Sequence, residues 1–350
     1  MSKNSKGVRT ALIVLCVVLA LILALLVTAT ILYETTLNRI NRFEDETLSP
    51  EQLEQILNET EETDPDFSGV HVDDDQVTLP EGPAQIIGSG ENIIHIMLVG
   101  QDRRPGEPRQ RSDAMILCTV NKTTKTVTLT SFMRDTYVSI PGYRNSRMNA
   151  AYQLGGFDTL YDTLGYNFGV EVEHGIEVDF SGFEKIVDLV GGVDIELTAS
   201  EARYMNKKGT FDVDESVVPG TWKLKEGVNH LTGAQALAYS RIRKLDSDFV
   251  RTSRQRTVLT AILEKCKDLS LTELYLLVDG MIPLISTDMD NAEITGYIVE
   301  LFPILADLNV QTQRIPGDND YYNATLSSGA QVLMPDLEGC QQMLKDSIGE

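Results

Sequence analysis

Ile93-Ile94-His95-Ile96-Met97-Leu98-Val99-Gly100 is an apolar run closed by a glycine. A run this short and continuous predicts a buried strand, with a loop beyond its C-terminal end. Ala114-Met115-Ile116-Leu117-Cys118-Thr119-Val120 predicts a second strand. Thr126 to Ser131, with Val127 and Leu129 alternating against threonines, predicts a third. Tyr137 to Ile140 reads as a strand running into the turn Pro141-Gly142. Helices are expected over Met148 to Gly155 and Phe157 to Asn167, separated at Gly155-Gly156, and over Ser181 to Leu189 with Ser181 as N-cap. Further helices start at Leu231 and at Ser247 or Asp248, the latter running to Lys267, and others cover Leu271 to Val278 and Ala292 to Leu308. Val193 to Leu197 and Gln311 to Ile315 read as strands, and Ala199 to Trp222 as a polar excursion. Strands interleaved with helices predict a layered α/β domain.

Outside that core, residues 11–32 are apolar or small and uncharged, long enough to span a bilayer as a helix. Residues 1–10 carry Lys3, Lys6 and Arg9 and no acid, whereas Glu34, Glu44, Asp45 and Glu46 follow the run. This asymmetry predicts a single-pass anchor in the cell membrane, with a short cytoplasmic tail (1–10) and everything after the anchor extracytoplasmic. A cleaved signal peptide is the competing reading. Residues 33–90 are acid-rich and poor in large apolar groups, and read as a mostly flexible extracytoplasmic stalk, with one acidic helix over Pro50 to Asn58. Residues 91–350 then suit one large domain. No folded part remains in the cytoplasm to bind nucleic acid, and no Walker or kinase loop is present. Of the four cysteines, Cys16 lies in the apolar run, so Cys118, Cys266 and Cys340 form at most one bridge; Cys266 with Cys340 is one candidate.

The net charge is -22, yet arginines gather in three short stretches. These are Gln101-Asp102-Arg103-Arg104 with Arg111-Ser112-Asp113, then Met133-Arg134-Asp135, then Arg241-Ile242-Arg243 with Arg251, Arg254, Gln255 and Arg256. So acidic a chain does not attract polyanions through its overall field. Local arginine–aspartate mixtures suggest instead a phosphate site with a divalent metal. Asp102 and Asp113 lie at the facing ends of two predicted strands, where two carboxylates can hold Mg²⁺; as solvated loop acids, or partners of Arg103 and Arg111, they would be merely structural. Arg241 and Arg243 would point to one side of an extended segment. Arg251, Arg254 and Gln255, at i, i+3 and i+4, would share one helix face. Asp135 would take a proton from a hydroxyl nucleophile or orient Arg134.

These stretches resemble the LytR-CpsA-Psr family of bacterial envelope proteins. The match runs over residues 92–263 and includes Val99-Gly100-Gln101-Asp102-Arg103, Arg111-Ser112-Asp113, Met133-Arg134-Asp135-Thr136-Tyr137, Met148-Asn149-Ala150-Ala151-Tyr152, Val190-Gly191-Gly192-Val193-Asp194, and the segments from Leu231 to Arg243 and from Asp248 to Gln255. The resemblance implies a three-layer α/β/α sandwich with a central mixed sheet that encloses a polyprenyl chain. It implies transfer of a glycopolymer (teichoic acid, capsule or similar) from an undecaprenyl pyrophosphate carrier to peptidoglycan. Asp102 and Asp113 match the family's magnesium-binding aspartates, with Mn²⁺ as the alternative ion. Arg111, Arg134, Arg241, Arg243, Arg251 and Gln255 match positions that hold the pyrophosphate. Arg111, Arg134 and Asp135 are the candidate catalytic residues, and Arg254 joins the pyrophosphate set on helix-face grounds. Phe132-Met133 stands where the family usually has Ile-Pro, which predicts altered loop geometry. The face formed by Phe183, Ile186, Val187 and Val190 is a candidate lipid wall. A polyprenyl pyrophosphate phosphatase and a non-enzymatic envelope lipid-binding protein are the alternatives.

Overall fold

The computed structural model describes residues 35, 38–42, 48–58, 67–73, 77, 79–80, 82–88, 90–101, 109–207, 222–243 and 245–349. Its centre is a seven-stranded mixed sheet. The strand Ile93–Gln101 runs antiparallel to Ala114–Asn121, which runs antiparallel to Thr126–Phe132. On one side Asn309–Ile315 adds in parallel to Thr126–Phe132. On the other, His174–Asp179 adds in parallel to Ile93–Gln101, followed by the two-residue strands Ser286–Thr287 and Asn41–Arg42.

Side chains alternate across this sheet, and each face has its own core. Met97, Val99, Met115, Leu117 and Phe132 pack under the helices Met148–Phe168 and Leu337–Ile348. Ile94, Ile116, Val120, Val127 and Leu129 face Leu259 and Leu263 of the helix Asp248–Lys267 and Tyr297 and Leu301 of Asn291–Leu301. Helices on both faces make the expected three layers. A third core joins the helices Phe180–Leu189 and Gly233–Ser240 to the antiparallel pair Val193–Leu197 and Gly227–Leu231, against Val258 and Ile262.

Local chemistry explains several boundaries. Asp179, not Ser181, caps the helix Phe180–Leu189, accepting from the Gly182 backbone N–H at 2.6 Å. The expected break at Gly155-Gly156 is present within Met148–Phe168: both glycines leave helical φ/ψ, Gly156 at φ 66°, and two helices meet there at a kink. The excursion after Thr198 opens with the helix Ala199–Met205, closed at its start by a capping box of Thr198 and Glu201. The strand Tyr137–Val138 stops two residues earlier than the sequence suggested, and pairs with Ser146–Arg147.

The flexible stalk needs correction where it is described. The helix Pro50–Asn58 forms as expected, but buries Ile56 against the Met148–Phe168 layer. Val70–Val72 adds in parallel to Tyr321–Leu326, itself paired with Gln331–Pro335. Ile87 is buried and bridges to Val170. These apolar contacts outweigh the acidic composition, and the segment straps the domain instead of standing off from it. Among the described residues no helix is long and apolar enough to cross a membrane. The expected anchor, residues 11–32, lies outside them. Cys118, Cys266 and Cys340 are all free thiols, so the candidate Cys266–Cys340 bridge does not form.

Candidate active site

Gly100 and Ala114 face each other across the antiparallel pair, and a Cβ on Gly100 would lie 3.3 Å from that of Ala114. Two small residues at this end of the sheet leave room beneath the helices. An apolar cavity of about 250 Å³ opens there. Leu98, Ile116, Ile176, Phe183, Leu259 and Met281 line its body. Of the candidate lipid wall, Phe183 and Ile186 line the cavity, whereas Val187 and Val190 pack into the third core.

Polar groups collect at one end of this space. Arg241 and Gln255 line it, and the Arg241 guanidinium lies over the Phe180 ring at 4.5 Å. Beside them, Asp113 Oδ1 receives Arg243 at 3.2 Å and Arg134 at 3.9 Å. Arg134 Nε also lies 3.5 Å from Asp135 and 3.6 Å from Asp248. Asp248 Oδ1 in turn holds Arg251 at 2.8 Å. Arg251 is only 2 % exposed, and its Nε has no hydrogen-bond partner among the described residues. Burial lowers its pKa; Asp248 opposes this, while the neighbouring charges of Arg134 and Arg243 add to it. Gln255 Oε1 is also buried without a partner. Guanidiniums held this way, with donors unmet, form a seat for an anion with several oxygens.

The structure therefore brings together Asp113, Arg134, Asp135, Arg241, Arg243, Arg251 and Gln255 from stretches far apart in sequence. Arg111 donates to the Ile56 carbonyl at 2.9 Å and to Gln153 Oε1 at 3.3 Å. Asp102 lies outside the described residues.

Arg254 is 4 % exposed, and protein acceptors take up its guanidinium. Its Nε donates to Glu201 at 2.7 Å, one terminal nitrogen reaches the Ile242 carbonyl at 3.3 Å, and the other pairs with Asp246. Burial disfavours its charge, but Glu201 and Asp246 hold its pKa above the ordinary value. Arg254 thus ties the Ile242 carbonyl and Asp246, on either side of Arg243, to Glu201. Glu201 and Asp179 were not singled out in the sequence: Glu201 falls in the segment read as a polar excursion, and Ser181 was the expected cap beside Asp179. Asp248 was read as a cap, but its carboxylate goes to Arg251 and Arg134. Met133 absorbs the departure from Ile-Pro: it is buried and takes a hydrogen bond from Thr252 at its sulfur, 3.7 Å away.

A divalent ion fits the chemistry of Asp113 in part. Its Oδ1 takes both arginines, its Oδ2 has no protein partner among the described residues, and the side chain is 32 % exposed. A hard oxygen open to solvent beside an anion seat suits Mg²⁺. Among the described residues no group of three or more His, Cys, Asp or Glu side chains could hold a metal, and Asp102, the other expected ligand, lies outside them.

Residues 56–345 match the LytR_cpsA_psr family. The chain belongs to that family. It is 33% identical over 234 residues to the polyisoprenyl-teichoic acid–peptidoglycan teichoic acid transferase TagT of Bacillus subtilis (strain 168), covering 65% of this chain and 69% of that protein. It is 36% identical over 179 residues to TagU of Bacillus mycoides (strain KBAB4), and spans about half of that relative (52%) against 49% of its own length. Among solved structures, TagT bound to LI-WTA superposes with a TM-score of 0.60 at 26% identity, covering 80% of this chain and 100% of the other. YwtF (TagT) with bound octaprenyl pyrophosphate lipid gives 0.55 at 26% identity, covering 75% and 92%. The family expectation and the mixed α/β fold are both borne out.

Proposed function

We propose that this chain transfers a glycopolymer from a polyprenyl pyrophosphate carrier to peptidoglycan, forming a phosphodiester bond. One observation carries the reading: an apolar cavity has Arg241 and Gln255 in its lining, with the Arg134, Arg243 and Arg251 cluster beside it. The apolar body suits a prenyl chain, and the guanidiniums suit its diphosphate. The related TagT structures, named for bound lipid-linked teichoic acid and octaprenyl pyrophosphate, support the same substrate class.

The residues divide the work. Arg241, Arg243 and Arg251 neutralise the diphosphate, which lowers the cost of charge developing on the leaving phosphate. Gln255 sits among them at the cavity end. Arg134, oriented by Asp135 and Asp248, faces the phosphorus that bears the glycan. A peptidoglycan hydroxyl attacks that phosphorus, the bond to the bridging oxygen breaks, and polyprenyl phosphate leaves. Asp135 is our candidate to take the hydroxyl proton. Asp113, with Asp102, would hold Mg²⁺, which when bound adds further neutralisation of phosphate oxygens. The carrier bond supplies the driving force, so no ATP is required.

Residues 11–32 complete the proposal as a membrane anchor with residues 1–10 inside, which keeps the domain in the compartment of its lipid donor and wall acceptor. Nucleic acid is not a partner on this reading. The test is incubation of the full chain with a polyprenyl-pyrophosphate-linked glycan and peptidoglycan, followed by mass spectrometry. Glycan joined to peptidoglycan, lost on chelation and restored by Mg²⁺, is the expected result. Freed glycan alone would make the protein a phosphatase, and intact donor would make it a lipid-binding protein.

A further inference from the structure

The helix Asp248–Lys267 carries a second guanidinium that the mechanism does not use. Arg256 is 7 % exposed, and its Nε and one terminal nitrogen are buried without a hydrogen-bond partner among the described residues. At about 100° per residue it is turned away from Gln255 and the cavity. Among the described residues it has no carboxylate within ion-pairing distance. Arginine does not escape burial by losing its proton. Four residues on, Thr260 places its Oγ1 on the same side, also buried and unmet.

The opposing surface is the sheet edge. Ser131 and Arg314 are cross-strand partners on Thr126–Phe132 and Asn309–Ile315, and the Ser131 hydroxyl is likewise buried without a partner. Arg314 lies 4.2 Å over the ring of Phe249, two turns before Arg256 on the helix, and 5.9 Å from that of Tyr321. One of its terminal nitrogens donates to the Pro316 carbonyl and the other pairs with Asp318, which is almost fully exposed. Burial, and next the charge of Arg314, push the Arg256 pKa down to about 10, so the two cations act on one another. Two like charges and two unmet hydroxyls between a helix and a sheet are costly for a protein alone. The same four groups are good donors for the anionic oxygens of a phosphate or a phosphodiester.

We propose that Arg256, Arg314, Ser131 and Thr260 form a second oxyanion seat, separate from the cavity and selective for a phosphate or phosphodiester group. The occupant is free phosphate or a phosphodiester along the polymer; only the second source rests on the function proposed above.

The test uses the full chain in detergent with Arg241→Ala and Arg243→Ala, which silence the main seat. Thermal unfolding is followed against inorganic phosphate, with chloride at equal ionic strength as control. We expect saturable stabilisation by phosphate. Adding Arg256→Met should abolish it, and should raise the midpoint in phosphate-free buffer because an unpaired buried charge is gone. A phosphate shift that persists in Arg256→Met, or a phosphate-free midpoint that falls, overturns the proposal. Should Arg256→Met fail to fold, Arg314→Gln replaces it and must weaken phosphate binding at least about tenfold, with unchanged binding counting against the seat. A glycerol phosphate oligomer binding at least about tenfold tighter than phosphate identifies the polymer as the source, and equal binding identifies free phosphate.

Discussion

Replacing Arg254 by methionine tests whether the guanidinium nest is positioned by a residue whose own guanidinium is taken up by protein acceptors. The side chain is 4 % exposed, and its partner Glu201 is buried beside it. Removing one member of a buried ion pair costs about 3–5 kcal/mol. Glu201 keeps its hydrogen bonds from the Thr198 backbone N–H at 2.9 Å and hydroxyl at 2.8 Å, and Asp246 can turn to water, so the lower end applies. At about 2–4 °C per kcal/mol, a loss of about 3 kcal/mol lowers the midpoint by about 6–12 °C. The pH dependence gives a second readout. Burial pushes the Glu201 carboxyl up, but Thr198 and Arg254 bring it net below the ordinary value. A depressed carboxyl stabilises the fold above its unfolded pKa, about 4.3, and that contribution is lost as pH falls through the folded value. Without Arg254 the burial effect is less opposed and the carboxyl protonates more readily, so the deficit of the variant should shrink between pH 7 and pH 5. Adding Glu201→Gln should recover part of the lost stability at pH 7. Because Arg254 also holds the Ile242 carbonyl and Asp246, polyprenyl diphosphate binding should weaken about tenfold or more, and Arg254→Lys should restore part of it. Circular dichroism melts and a lipid-binding titration decide the matter. A midpoint within 2 °C of the parent, with unchanged lipid affinity, would refute that role.

Arg243→Ala should separate stability from activity: its side chain is 54 % exposed, so the melt should move by less than about 1 kcal/mol, while the transfer rate falls about a hundredfold. Gly233→Ala should cost about 1–3 kcal/mol in a melt, since its Cβ would lie 1.9 Å from the Glu184 carbonyl and force apart two helices that wall the cavity. Cys118 and Cys340 should resist iodoacetamide at pH 8 in the folded chain and react after unfolding, as read by mass spectrometry, because burial pushes both thiols up to about 12 and leaves almost no thiolate.

The central strands were legible because their apolar runs are buried from both sides, and period and burial then say the same thing. His174–Asp179 was missed for the opposite reason: Glu177 interrupts it, and the Tyr152 hydroxyl donates to that carboxylate at 2.5 Å within the fold. The strap was misread because its acids dominate its composition, while a few residues such as Ile56 and Ile87 decide where it lies. At the site, residue types spoke clearly but directions did not. Arg251 and Arg254 are three positions apart, about 60° around a helix, too little for periodicity to divide them. What divides them is Asp248 beside one and Glu201 beside the other, and Glu201 lies outside every arginine stretch.

Where the chain first joins the sheet has a geometric consequence. Asn41 and Arg42 pair with Ser286 and Thr287, the Asn41 amide donates to the Ile285 carbonyl, and Arg39 pairs with Asp279. Ile285 and Met281 belong to the cavity wall. The polypeptide arriving from the N-terminal side is therefore moored alongside the greasy compartment, so on the proposed function a tether there would keep that compartment near the surface holding the leader. A long hydrocarbon guest would then travel a short, sheltered route, with little of its length ever wetted.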